Sequence, residues 1–207
     1  KGICFSSVSS DADNVLKNCE VRYAGDGYID GAYTNAPIGI SSCRVLIDSV
    51  KVNFSSRCGI AIFGDANPEI KNTTISNISW EPIYMDMFSN PKFDENITLA
   101  NVANIALKLR AGVVSGTVPK RSFAGYNPIT YGWFDDALTV NSQLTIPAGL
   151  TFKGNGRWNI YGKLNILGTA DNPVVFTTAE DDAYGNPKDG QQNGQAGYNQ
   201  HANHFVF

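Results

Sequence analysis

The chain has 207 residues, 17% of them charged, with a formal charge of −3 and a pI near 5.3. Twenty glycines, plentiful Asn, Ser and Thr, and the lack of Leu/Glu/Lys/Ala-rich stretches exclude a helical protein and describe an all-β chain with many turns, long enough to bury a core in one domain or two. An acidic balance without basic runs makes nucleic acid an unexpected partner, and no stretch approaches the roughly 18 apolar residues of a transmembrane segment.

The N-terminus, Lys1-Gly2-Ile3-Cys4-Phe5, opens in strand-like sequence without a signal peptide, as a piece cut from a longer protein would. Cys4 and Cys19, like Cys43 and Cys58, are 15 residues apart, and none forms a C-x-x-C pair. Zinc is therefore not expected, and buried thiols are the first reading with disulfides the alternative.

Internal repetition is the strongest signal. Ile47-Asp-Ser-Val-Lys-Val52 aligns with Ile70-Lys-Asn-Thr-Thr-Ile75, and Gly59 to Ile62 with Pro82 to Met85, both at an offset of 23. Asn72 to Ile75 aligns with Asn96 to Leu99 at 24, and Ile60 and Ile62 look back 22 residues to Ile38 and Ile40. Leu16 to Val21 has the same shape as Ile47 to Val52 at a longer offset, which an insertion around residues 25–31 accounts for. A period of 22 to 24 residues, short alternating strands and no amphipathic helix predict a β-solenoid. Leucine-rich repeats compete on period but need a recurrent Leu-x-x-Leu-x-Leu frame that is missing. Stacked coils would place Ile47, Val52, Ile60, Ile62, Ile70, Ile75, Ile83 and Met85 inward and keep Lys51, Glu69 and Lys71 in water. Asn18, Ser49, Asn72 and Asn96 would share one corner, as stacked side chains or as plain turn residues. Coils are thus expected over residues 1–110, a connector over 111–137, and a second block over 138–207, truncated at its C-terminal end.

That second block reads Leu138 to Ile146, Leu150-Thr-Phe152, Trp158 to Gly162, Lys163 to Thr169 and Asn172 to Thr178. It resembles the bacterial secreted and cell-surface right-handed parallel β-helix proteins of the pectin-lyase-like class, whose coils carry L-x-I-x-x-G-x-x-x-x-F, G-x-L-x-x-x-G-T and P-I-x-F-T-S strands followed by an acidic loop. Thr178 stands where that family usually has Ser. Lys1 to Phe5 looks like the family's next strand without its tryptophan, and His204 to Phe207 falls where that strand recurs. The resemblance implies a right-handed β-helix at a bacterial surface or outside the cell. It does not fix a function, because such scaffolds carry lyases, hydrolases, adhesins and spacers.

Site candidates are few. Asp26, Tyr28, Asp30 and Tyr33 lie in the glycine-rich insertion, where two tyrosines and two carboxylates could form a wall for a sugar ring or pack back on the coils. Asp181, Asp182 and Asp189 gather hard oxygen ligands in an acidic loop, so calcium is a possible cofactor, a hydrophilic corner being the plainer reading. His201 and His204 lack a third ligand. Asp48, Lys71, Asp65 and Asp86, with Arg22, Arg44 and Arg57, show no motif spacing. Two acids and an arginine on adjacent coils lining one groove would mark a polysaccharide lyase or glycoside hydrolase. Without them, the expectation is a non-catalytic extracellular module of a large surface protein, an adhesin stalk or passenger that contacts glycans or another surface protein. A structural part of a cell-envelope assembly is the third reading.

Overall fold

The computed structural model describes residues 2–6, 14–25, 28–29, 32–33, 35–132, 137–197 and 203–207. Among them there is no helix, and nearly every strand runs parallel to its neighbour one coil away. The chain is a parallel β-solenoid divided into two compact units, residues 1–104 with 122–125, and residues 105–121 with 126–207.

In the first unit, one coil supplies β1 (Ile3–Phe5), β2 (Val15–Lys17) and β3 (Glu20–Arg22). A hairpin of β4 (Tyr28–Ile29) and β5 (Ala32–Tyr33) precedes the next coil, β6 (Ile38–Ser41), β7 (Leu46–Asp48) and β8 (Lys51–Ser55). Then follow β9 (Ile60–Phe63), β10 (Glu69–Lys71) and β11 (Thr74–Ile78), and β12 (Ile83–Met85), β13 (Lys92–Phe93) and β14 (Thr98–Val102). Equivalent strands stack in register at the offsets of the repeat: Ile47 on Ile70, Val52 on Ile75, Ile60 on Ile83, Ile38 on Ile60 and Ile75 on Leu99. Across the insertion, Leu16 lies on Ile47 and Val21 on Val52.

All eight positions expected inward are fully buried. Each such Ile, Val or Met contributes about 1.5–3 kcal/mol by leaving water, so the column inside the coils carries the fold. The outward face of β6 and β9 is also covered, because Ala61 and Phe63 are buried there with Ala36, Cys58 and Tyr84, and Trp80 packs against them. The hairpin lies against β6 and β1. All four cysteines are thiols, Cys43 and Cys58 buried and Cys4 exposed.

The second unit repeats the plan with β15 (Leu107–Leu109), β16 (Gly112–Val113), β17 (Gly116–Thr117), β18 (Tyr131–Gly132), β19 (Ala137–Val140), β20 (Gln143–Pro147) and β21 (Thr151–Lys153). It continues with β22 (Arg157–Ile160), β23 (Lys163–Leu167), β24 (Val175–Thr177) and β25 (His204–Val206). Its core is aromatic. Phe152 stacks between Tyr131 and Phe176 at 5.5 and 5.2 Å, and Trp158 on Phe205 at 5.7 Å.

Two sequence expectations change here. Residues 111–137, read as a connector, carry β16, β17 and β18, which pair in parallel as Val113 with Thr139, Thr117 with Thr145 and Tyr131 with Phe152. Strands of two residues, two of them starting at glycine, are too short to display the alternation by which a strand is recognised in sequence. Strand β25 pairs with β22 as the second strand of its coil, whereas β1 is the first of its own, so the two end segments are not equivalent positions.

Candidate functional site

The corners of the first unit are built from left-handed residues. Asn18, Ser49 and Asn72 have φ of 52°, 58° and 47°. Asn tolerates this region better than most residues, and its amide can also bridge coils: Asn96 donates to Asn72 Oδ1 at 3.0 Å and Asn72 to Asp48 Oδ1 at 2.9 Å. The stacked reading of this corner holds for Asn72 and Asn96. A second amide ladder runs from Asn101 to Asn77 and from Asn77 to Asn53, at 2.6 and 2.8 Å.

Beside the first corner, Lys17 pairs with Asp48 at 2.8 Å. That ion pair and the hydrogen bonds from Asn72 and Ser49 hold the Asp48 carboxyl at a pKa of about 2. Asp48 and Lys71 do face one another in register, but both are engaged, Lys71 with Glu69 at 2.6 Å.

Next to these pairs a cleft of about 300 Å³ opens on the outer side of β2, β7, β10 and β13. Its floor is one column, Val15, Leu46, Glu69 and Lys92, each in register with the next. Arg44 and Asn67 form the wall. The Glu69 carboxyl lies below its usual range, first through the hydrogen bond from Lys71 and then through the fields of Lys92 and Arg44. Arg44 and Lys92 form no ion pair among the described residues. The lining thus combines two uncommitted cations, one carboxylate already paired, amides and a strip of apolar surface. It holds one acid beside an arginine, not two.

Asp65 sits at an exposed corner with φ of 57°, and Asp86 accepts a hydrogen bond from the Gly64 N–H at 2.6 Å. Arg57 lies over the Trp80 ring. None of these lines the cleft.

Arg22 takes part in a feature that sequence reasoning did not single out. Tyr23 and Phe54 stack outside the coils, with centroids 4.8 Å apart and planes 8° from parallel, and the Arg22 guanidinium lies 4.8 and 5.3 Å from the two rings. The repeat could have revealed it, since aligning Val21, Val52, Ile75 and Leu99 places Tyr23, Phe54, Asn77 and Asn101 at one position.

Of the insertion residues, Asp26 and Asp30 lie outside the described residues, and Tyr28 and Tyr33 are cross-strand partners in the hairpin backbone. His201 also lies outside them.

The acidic loop of the second unit folds over the outer side of its first sheet. Asp181 accepts from Thr177 Oγ1 at 2.5 Å and from the Ala183 N–H. Asp182 accepts from the N–H groups of Lys188 and Gly194 at 3.0 and 2.6 Å and faces the buried Lys153 at 3.7 Å. Burial pushes the Lys153 ammonium down, and the Asp182 carboxylate opposes that shift. Asn186 bonds Thr130 twice, and Lys153 donates to the Asn186 carbonyl at 2.7 Å. Asp189 caps the Gln191 N–H. The three expected calcium ligands each accept hydrogen bonds within the loop, and among the described residues no three His, Cys, Asp or Glu side chains form a group able to hold a metal.

Comparison with known proteins adds no family. No protein-family model, no curated protein and no solved structure matches the chain.

Proposed function

We propose that this chain is a non-catalytic extracellular module of a larger bacterial surface protein, of the pectin-lyase-like kind, which contacts acidic glycans through the cleft on its first unit. The cleft carries the reading. Arg44 and Lys92 are uncommitted cations on one wall and one floor of a channel whose floor steps at the coil spacing, about 4.8 Å. A carboxylated oligosaccharide lying along the coils would meet cations for its acid groups, Asn67 for its hydroxyls, and Val15 and Leu46 for its C–H faces. Lyase or hydrolase chemistry asks for a second carboxylate or a base without a partner, whereas Glu69 is already tied to Lys71.

Calorimetric titration with hexagalacturonate tests this. The expected result is saturable binding that weakens on the order of tenfold or more in the Arg44→Ala, Lys92→Ala double variant and falls with salt. Affinity unchanged by that variant would refute the assignment of the cleft.

A further inference from the structure

We propose that the exposed Tyr23–Phe54 stack is a second sugar site, one that takes the flat face of a neutral pyranose. This inference rests on the glycan-binding reading but uses none of the cleft residues.

Three observations carry it. Both rings reach solvent, Tyr23 by 72% and Phe54 by 38%, so Tyr23 in particular gains little from burial. Both residues hold left-handed backbone, with φ of 52° and 56°, a region that is strained for bulky side chains. The two following coils fill the same position with Asn77 and Asn101, at φ of 54° and 53°, and join them by an amide hydrogen bond of 2.6 Å. Asparagine is therefore what the fold needs at this position, and two coils depart from it at a cost in backbone strain to present aromatic faces. Strain kept at an exposed site points to use.

The neighbours decide the class of ligand. Glu20 accepts from Asn53 at 3.2 Å and lies 3.7 Å from the Arg22 Nε, so the guanidinium at the rings continues into a polar rim of one acceptor and one amide. Aromatic faces attract weakly positive C–H groups, and a rim of donors and acceptors matches the equatorial hydroxyls around a pyranose face. Neutral sugar with an exposed C–H face fits both halves.

The test titrates the whole chain with cellohexaose and, in parallel, hexagalacturonate. It compares the Tyr23→Asn, Phe54→Asn double variant with the cleft variant, Arg44→Ala with Lys92→Ala. Because asparagine is the residue of the neighbouring coils, the aromatic variant is expected to fold and to melt at or above the parent temperature. It is expected to lose roughly tenfold or more in cellohexaose affinity, while the cleft variant keeps that affinity. Cellohexaose binding that survives the double Asn substitution, or that the parent lacks while it binds hexagalacturonate, overturns this site and leaves the cleft standing. A melting temperature clearly below the parent's, with affinity intact, assigns the stack to structure and also overturns it. Hexagalacturonate binding absent from the parent overturns the cleft reading, and cellohexaose then reports on the stack alone.

Discussion

Asn77 does two things at once: it adopts φ of 54°, and its amide donates to Asn53 while its carbonyl oxygen accepts from Asn101. Substitutions separate these. Asn77→Ala loses the bridges and keeps a Cβ in left-handed backbone without the polar side chain that lets asparagine tolerate it, for an expected loss of about 1–3 kcal/mol. Asn77→Gly also loses the bridges but removes the Cβ that left-handed backbone disfavours, and should cost visibly less in the same thermal melts; equal losses would mean that the backbone conformation is not under strain. Asp48 gives a pH signature. Its carboxyl titrates near 2 against an ordinary value of 3.8, so the folded state prefers it ionised. That contribution is fully present above pH 3.8 and is lost as the pH falls through about 2. Carboxyl-carbon NMR should find Asp48 still ionised at pH 3, and Lys17→Ala should raise its midpoint. A midpoint near 4 in the parent would remove the ion pair from the account.

At the scale of elements, the strands of the first unit were legible, whereas the two-residue strands β16, β17 and β18 and the fold of the acidic loop were not. Ile47, Val52, Ile60 and Ile62 announce themselves because every coil must present apolar side chains to one shared interior, and that demand imprints a constant offset on the sequence. The acidic loop has no such period. Carboxylates close in sequence serve equally well to bind a cation or to accept N–H groups, so Asp181, Asp182 and Asp189 alone do not tell the two apart, and only the fold brings Lys153 to Asp182 from the sheet beneath. The cleft was illegible for a related reason, since Val15, Leu46, Glu69 and Lys92 become neighbours only through register.

The loop makes its own prediction. Asp182→Ala removes the acceptor for two backbone N–H groups and leaves the buried Lys153 ammonium without its carboxylate, for an expected cost of about 3–5 kcal/mol. Hydrogen exchange in residues 180–196 should accelerate most. Uniform acceleration, or none, would show that the loop is not fastened through Asp182. Calcium should leave these exchange rates unchanged, and protection on its addition would return Asp181, Asp182 and Asp189 to metal binding.

For the whole molecule, the proposed function sets side chains that bind a polymer without cleaving it on the stacked coils of each unit. Buried apolar columns and, in the first unit, amide ladders tie coil to coil, and repetition at the coil spacing turns single residues into linear arrays suited to a linear polymer. The alternative, a depolymerising enzyme, would use the same arrays with a second acid added. The most direct measurement incubates the protein with labelled hexagalacturonate, with calcium and with chelator, and follows bound ligand, new ultraviolet absorbance from double bonds, and reducing ends in one sample. Saturable binding that depends on Arg44 and Lys92, with no rise in absorbance or reducing ends under either condition, is the result expected of a non-catalytic module. Product formation that disappears with chelator, or in the Arg44→Ala variant, would contradict it and make the cleft an active site.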